Sequence, residues 1–214
     1  MKVSAIIPAF NEQNTICKVL EIVKQNKSID EVLVVNDGST DDTGRVCKQF
    51  QVEVINLEHN VGKSQAMKIG EQKCTGDVLL FLDADLIGLN DIHINDLVMP
   101  ILNSNTDMTV GVFASGRFTT DFAHKVAPFL SGQRAIRKDV FNSIADADIQ
   151  GYGIETALTV YGEKGKIKVA TVELNGLTHV MKEEKMGLFK GFCARMKMYR
   201  DIYDELRIAR RKQM

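Results

Sequence analysis

The chain has 214 residues, 44% of them apolar and 26% charged, with a formal net charge of −1. This is the composition of a soluble globular protein, and it supplies no overall charge that would draw nucleic acid or a membrane. No apolar stretch approaches the ~18 residues needed to cross a bilayer. The opening "MKVSAIIPAF" lacks the longer apolar core and cleavage site of a secretory signal, so an intracellular, cytoplasmic protein is expected.

Strands and helices alternate through the first half. "VSAIIPAF" (3–10) predicts a buried strand, and "EQNTICKVLEIVKQN" (12–26) a helix, with Ile16, Val19, Leu20 and Val23 at helical spacing. "DEVLVVNDG" (30–38) is a second strand stopped by turn residues, and "DDTGRVCKQF" (41–50) a helix with acids in its first turn. Strand "VEVINL" (52–57), helix "GKSQAMKIGEQK" (62–73) and strand "DVLLFLDAD" (77–85) follow, then helix "DIHINDLVMPIL" (91–102) and strand "DMTVGVFAS" (107–115). Further on, "RAIRKDVFNSI" (134–144) and "GIETALTVYGEKG" (153–165) predict helices, and "KIKVATVEL" (166–174) a strand.

Near-continuous apolar strands separated by helices predict an α/β fold with a mostly parallel sheet covered on both faces. There is no repeat and no Pro- or Gly-rich linker, so a single domain over 1–214 is expected. Ligands of such sheets bind at the carboxyl ends of the strands. Asn11, Asp37 and Asp83 all fall just past strand ends. Cys17, Cys47, Cys74 and Cys193 lie far apart with no C-x-x-C pair, which indicates neither a disulfide framework nor a zinc site.

In "FLDADL" (81–86) a buried run ends in carboxylates at Asp83 and Asp85, one residue apart. Two such charges repel unless a cation compensates them, and a hard divalent ion that also takes phosphate oxygens fits. A solvated turn explains the pair equally simply, because Asp is common in turns. "NVGKSQA" (60–66) ends like a phosphate-binding P-loop, but Leu57 stands where that motif needs glycine. "PAFNEQ" follows the first strand where a dinucleotide fold needs G-x-G-x-x-G.

Taken together and in order, "IIPAFNE", "VVNDGSTDDT", "NVGKSQA" and "FLDADL" resemble the GT-A glycosyltransferases, nucleotide-sugar enzymes whose largest group is glycosyltransferase family two. "GRFT" (116–119), "SGQRAIRKDVF" (131–141), "GYGIETAL" (151–158) and "LTHV" (177–180) are similar to the glucosyl-3-phosphoglycerate synthase branch. The resemblance implies a GT-A (nucleotide-diphospho-sugar transferase) fold and transfer of a hexose from a UDP-linked donor to a phosphate-bearing small molecule or a lipid-linked acceptor. It implies that Pro8, Ala9, Phe10, Glu12 and Asp37 frame the nucleotide, and that Lys63, Asp83 and Ala84 reach the ribose or diphosphate. It implies a Mn²⁺ or Mg²⁺ ion on Asp83, Asp85 and His179, with the imidazole tilting preference toward manganese. Asp85 and Glu155 are the implied catalytic groups, Glu155 as base or as the carboxylate that places the acceptor. Arg117, Thr119, Gly132 and Gln133 match acceptor-binding positions. Two other readings stay open: a nucleotidyltransferase of the same fold, for which the glycine-rich basic start loop is missing, and a non-catalytic nucleotide-sugar-binding module.

From Lys182 to Met214 ten Lys or Arg stand against five Asp or Glu. Phe192, Met196, Tyr199, Tyr203 and Leu206 recur there at helical steps. This predicts a basic amphipathic helix at 182–214 that packs on its own domain, on a second copy in a homo-oligomer, or on an anionic membrane surface as a peripheral contact.

Overall fold

The computed structural model describes residues 1–103, 105–113, 131–145 and 154–179. The predicted tail at 182–214 lies outside them, as do Arg117 and Thr119. The first six elements are β1 (Val3–Ala9), α1 (Ile16–Gln25), β2 (Glu31–Asn36), α2 (Thr43–Lys48), β3 (Glu53–Asn56) and α3 (Lys63–Lys73). They are followed by β4 (Val78–Phe81), β5 (Leu86–Ile87), α4 (Asp91–Asn103), β6 (Met108–Phe113) and β7 (Arg134–Arg137). The described elements end with α5 (Lys138–Ala145), α6 (Ile154–Glu163), β8 (Val169–Leu174) and β9 (Thr178–His179).

The main sheet has seven strands in the order β3-β2-β1-β4-β7-β6-β8, and β5 and β9 form a two-stranded ribbon. Pairing is parallel from β3 through β4 and between β6 and β8, while β7 runs antiparallel to both of its neighbours. The sheet is therefore mostly parallel, as the unbroken apolar strands predict.

Successive strand residues point to opposite faces, and both faces are covered. Val3, Ala5, Ile7 and Ala9 of β1 pack with Ile16, Val19, Leu20 and Val23 of α1 and with Ile94, Leu97 and Val98 of α4. Ile6, Leu33 and Phe81 turn the other way, toward Ala66 and Met67 of α3, Phe141 and Ile144 of α5, and Ile154, Ala157 and Leu158 of α6. The Phe81 and Phe141 rings meet with centroids 5.3 Å apart. Each fully buried Leu, Ile or Phe, such as Ile6, Leu33, Leu80 and Phe141, contributes about 1.5–3 kcal/mol.

One predicted element is corrected. "RAIRKDVFNSI" is not a continuous helix: Arg134–Arg137 form β7, and the helix begins at Lys138. Four residues with apolar Ala135 and Ile136 between two arginines fit either period. Pairing with β4 on one side and β6 on the other decides for a strand, and Ala135 and Ile136 then bury on opposite faces. The short β5–β9 ribbon was not predicted, because two-residue strands carry no readable period. Among the described residues no helix is long and apolar enough to cross a membrane.

Candidate active site

In the order β3-β2-β1-β4, the chain leaves β1 toward one edge and returns through α3 to place β4 on the other side of β1. That reversal opens a crevice between the carboxyl ends of β1 and β4, the place where open α/β sheets bind ligands. Asn11 and Glu12 stand beyond the first of these ends, Asp83 and Asp85 beyond the second.

The loops after β1 and β2 are laced together. Asn11, with a left-handed φ of 56°, donates its N–H to Ser39 Oγ at 2.9 Å and accepts the Thr40 N–H on Oδ1 at 2.8 Å. The Glu12 N–H donates to Thr43 Oγ1 at 2.8 Å, and the Glu12 carboxylate accepts the Thr15 hydroxyl at 2.7 Å. Pro8 is half-buried, Ala9 is buried, and Phe10 is 46% exposed at the rim, an unusual setting for an aromatic ring. Asp37 is buried, and its two oxygens accept the N–H groups of Val61 at 2.7 Å and Gly62 at 3.0 Å. Asp37 thus sets the entry of α3, whose first residue is Lys63.

Lys63 reaches across the crevice. Its Nζ lies 2.5 Å from Asp83 Oδ1 and 3.0 Å from Glu155 Oε1. Burial opposes its charge, but Asp83 and then Glu155 outweigh that cost and raise its pKa above the ordinary lysine value. Gln133, fully buried, donates its amide N–H to Asp83 Oδ2 at 2.7 Å. Gly132 packs against the same group, leaving no room for a side chain between backbone, Lys63 and Asp83. The structure therefore brings together Lys63, Asp83, Gly132, Gln133 and Glu155, which come from four separate parts of the chain. It sets Gly132 and Gln133 directly on the Asp83 carboxylate. Glu155 occupies the first turn of α6, so the reading as a helix-start acid and the reading as a site residue both describe it.

Sequence reasoning missed three residues here. Arg134 is fully buried and donates to the carbonyls of Ser131 at 2.6 Å and Glu155 at 3.1 Å. The Ser131 hydroxyl donates to the Gly111 carbonyl, and Ser64 Oγ accepts the Ile154 N–H at 3.1 Å. Arg134 stands in the 131–141 stretch without an assigned role, because an Arg three residues before another Arg reads as a polar helix face.

The carboxylate pair is asymmetric. Asp83 already faces an ammonium and an amide, whereas Asp85 is half-buried in the turn that begins β5, with Ala84 buried between them. The β5–β9 register sets Leu86 opposite His179, so the backbone of His179 lies beside the strand that starts directly after Asp85. The side chain of His179 lies outside the described ones. Carboxylate oxygens such as these suit Mn²⁺ or Mg²⁺; among the described residues no group of three or more His, Cys, Asp or Glu side chains stands close enough to hold such an ion.

A doubly covered, mostly parallel sheet, with Asp83 facing a lysine at its switch point, defines a GT-A type nucleotide-sugar transferase fold. The family model for "Glycosyl transferase family 2" matches residues 4–153, and the chain belongs to that family. Glucosyl-3-phosphoglycerate synthase of Mycobacterium tuberculosis is 27% identical over 216 residues, which cover 83% of this chain and 66% of that protein. The crystal structure of that synthase with Mn²⁺, UDP and phosphoglyceric acid superposes with a TM-score of 0.71 at 26% identity, covering 84% of this chain and 70% of that one. Its complex with Mn²⁺, UDP-glucose and glycerol 3-phosphate gives 0.68 at 25% identity, covering 84% and 72%. This chain thus spans just under two thirds of the length of the curated relative.

Proposed function

We propose that this protein is a metal-dependent glycosyltransferase that moves a hexose from a UDP-linked sugar to a small phosphate-bearing acceptor. The observation that carries the reading is the contact of Lys63 with both Asp83 and Glu155 at the carboxyl end of β4. A lysine held between two acids at a ligand crevice is set up to receive diphosphate charge without moving far. The similar synthase, with UDP-glucose, Mn²⁺ and phosphorylated acceptors in its crystals, supports the same donor and acceptor classes.

In this reading Pro8, Ala9, Phe10 and Glu12 frame the uridine, with Phe10 offering a ring face at the rim. Asp37 acts by fixing the turn that presents Lys63. Asp83, oriented by Gln133 and Lys63, receives the ribose, and Asp85 and His179 hold the divalent ion. That ion, when bound, supplies Lewis-acid stabilisation to the departing diphosphate. Lys63 turns its ammonium toward the same developing charge, and Glu155 orients the acceptor hydroxyl. Arg117 and Thr119 are assigned to the acceptor by resemblance alone, and a guanidinium there would suit its phosphate. Should the basic 182–214 segment bind anionic lipid rather than pack on protein, a lipid phosphate at the inner membrane face would be a second acceptor class. Liposome co-sedimentation of the chain, with and without those residues, separates it from a soluble acceptor.

The test is donor turnover by the full chain with UDP-glucose, Mn²⁺ and either 3-phosphoglycerate or glycerol 3-phosphate. Asp85→Ala is expected to lower kcat/KM by about 100-fold or more, the scale of losing a charge-stabilising group in the transition state. UDP binding with no transfer from any nucleotide sugar would favour the binding module. Release of pyrophosphate from UTP and a sugar phosphate would favour the nucleotidyltransferase.

A further inference from the structure

We infer that Arg134 is a positioning residue for this site: by bridging the backbone carbonyls of Ser131 and Glu155 it holds the Glu155 carboxylate against Lys63. The inference rests on the reading that Lys63 and Glu155 serve sugar transfer, and gives a role to a residue of the 131–141 stretch to which the resemblance attached none.

Arg134 heads the largest side chains that are fully buried, in a sheet whose other interior residues are overwhelmingly apolar. Burying a guanidinium is expensive, and a position that needed only volume would be served by Leu or Met. Its direct partners are carbonyls rather than carboxylates: Nη2 donates to Ser131 O at 2.6 Å and Nη1 to Glu155 O at 3.1 Å. Burial lowers its pKa, the nearby Glu155 and Asp83 charges oppose that, and the guanidinium stays protonated.

The two carbonyls belong to segments outside the main sheet. One is the 131–133 stretch that sets Gly132 and Gln133 on Asp83, and the other is the first turn of α6. β7 lies next to β4, with Arg134 opposite Phe81, so the fork springs from directly beneath the acidic turn. At the start of α6, Ile154 N–H donates to Ser64 Oγ and Glu155 O accepts from Arg134, which fixes the rotation of that helix end from both sides. The Glu155 carboxylate then falls 3.0 Å from Lys63. A planar fork spans two acceptors at once, whereas a lysine ammonium on a single flexible stem is not preorganised to do so.

The experiment compares Arg134→Lys and Arg134→Met with wild type as full chains. The readouts are UDP-glucose turnover with Mn²⁺, UDP affinity by calorimetry, thermal melting, and the ¹⁵N resonance of the Lys63 ammonium. Misplacing a reacting group by about 1 Å costs up to ~100-fold, so Arg134→Lys should lower kcat by about tenfold or more. UDP affinity should stay close to wild type, melting should fall no further than the loss of one buried hydrogen bond requires, and the Lys63 resonance should shift as it does in Glu155→Gln. Wild-type kcat together with an unmoved Lys63 resonance in Arg134→Lys overturns the inference, as does a fall in kcat matched by an equal fall in UDP affinity. If Arg134→Met fails to fold, Arg134→Lys decides. A wild-type chain that turns over no nucleotide sugar sinks the proposed function instead, and the Lys63 resonance then still decides the role of Arg134.

Discussion

Gly132 packs so tightly on Asp83 that a Cβ added there would lie 2.6 Å from both carboxylate oxygens, and nearer still to the Lys63 ammonium. The crowded atoms are the ends of two flexible side chains, so Gly132→Ala should fold by pushing them apart. The Lys63–Asp83 pair is what yields. Turnover is expected to fall about 100-fold, and the melting temperature to fall no further than in Lys63→Met, which loses the same pair. Steady-state kinetics beside a thermal melt checks this, and an unimpaired Gly132→Ala enzyme would show that the pair is not needed for turnover.

Lys63 also ties stability to pH. Its folded-state pKa is raised above the ordinary 10.5 by Asp83 and Glu155, against the opposing effect of burial. A group raised in the folded state contributes stability that is fully present below its unfolded pKa and is lost as pH climbs toward the folded value. The wild-type melting temperature should therefore drop as pH rises beyond about 10.5, the ordinary lysine range. Lys63→Met should be less stable near neutrality, because it leaves two acids facing each other, yet show a shallower alkaline decline. Melts across that range in both proteins decide it.

Asp37 accepts the N–H groups of Val61 and Gly62 while only 3% exposed. Asp37→Ala strands both donors and is expected to cost about 2–4 kcal/mol, the scale of losing charge-assisted bonds at a buried site. For a chain of this size that corresponds to a melting temperature roughly 4–15 °C lower. Calorimetry on the variant measures it directly.

The thiols should react unequally. Burial pushes Cys47 up to about 11, with Cys17 adding to the shift, and its side chain is fully enclosed. At about pH 8 an alkylating reagent needs a thiolate it can reach, so half-buried Cys17 should be modified well before Cys47. Peptide mass mapping over time follows both, and denaturant should abolish the difference.

Much of the fold is legible along the chain because its causes are local. The mostly apolar runs 3–9, 31–36 and 78–82, short and bounded by turn residues, read as buried strands, and those turns mark the rim where Glu12, Asp37 and Asp83 stand. Arg134–Arg137 was illegible because four residues fit two periods, and its neighbours β4 and β6 chose between them. The role of Asp37 in fixing Val61 and Gly62 was equally hidden, since those groups lie 24 and 25 residues away.

By itself, the sequence determined that acids would line the carboxyl ends of a doubly covered parallel sheet, because side-chain period and turn chemistry act over a few residues. Only the tertiary structure decided that the first partner of Asp83 is Lys63, 20 residues earlier, and that Gln133, 50 residues later, shares it. Those meetings follow from the strand order β1-β4-β7, a property of how the whole sheet buries its faces.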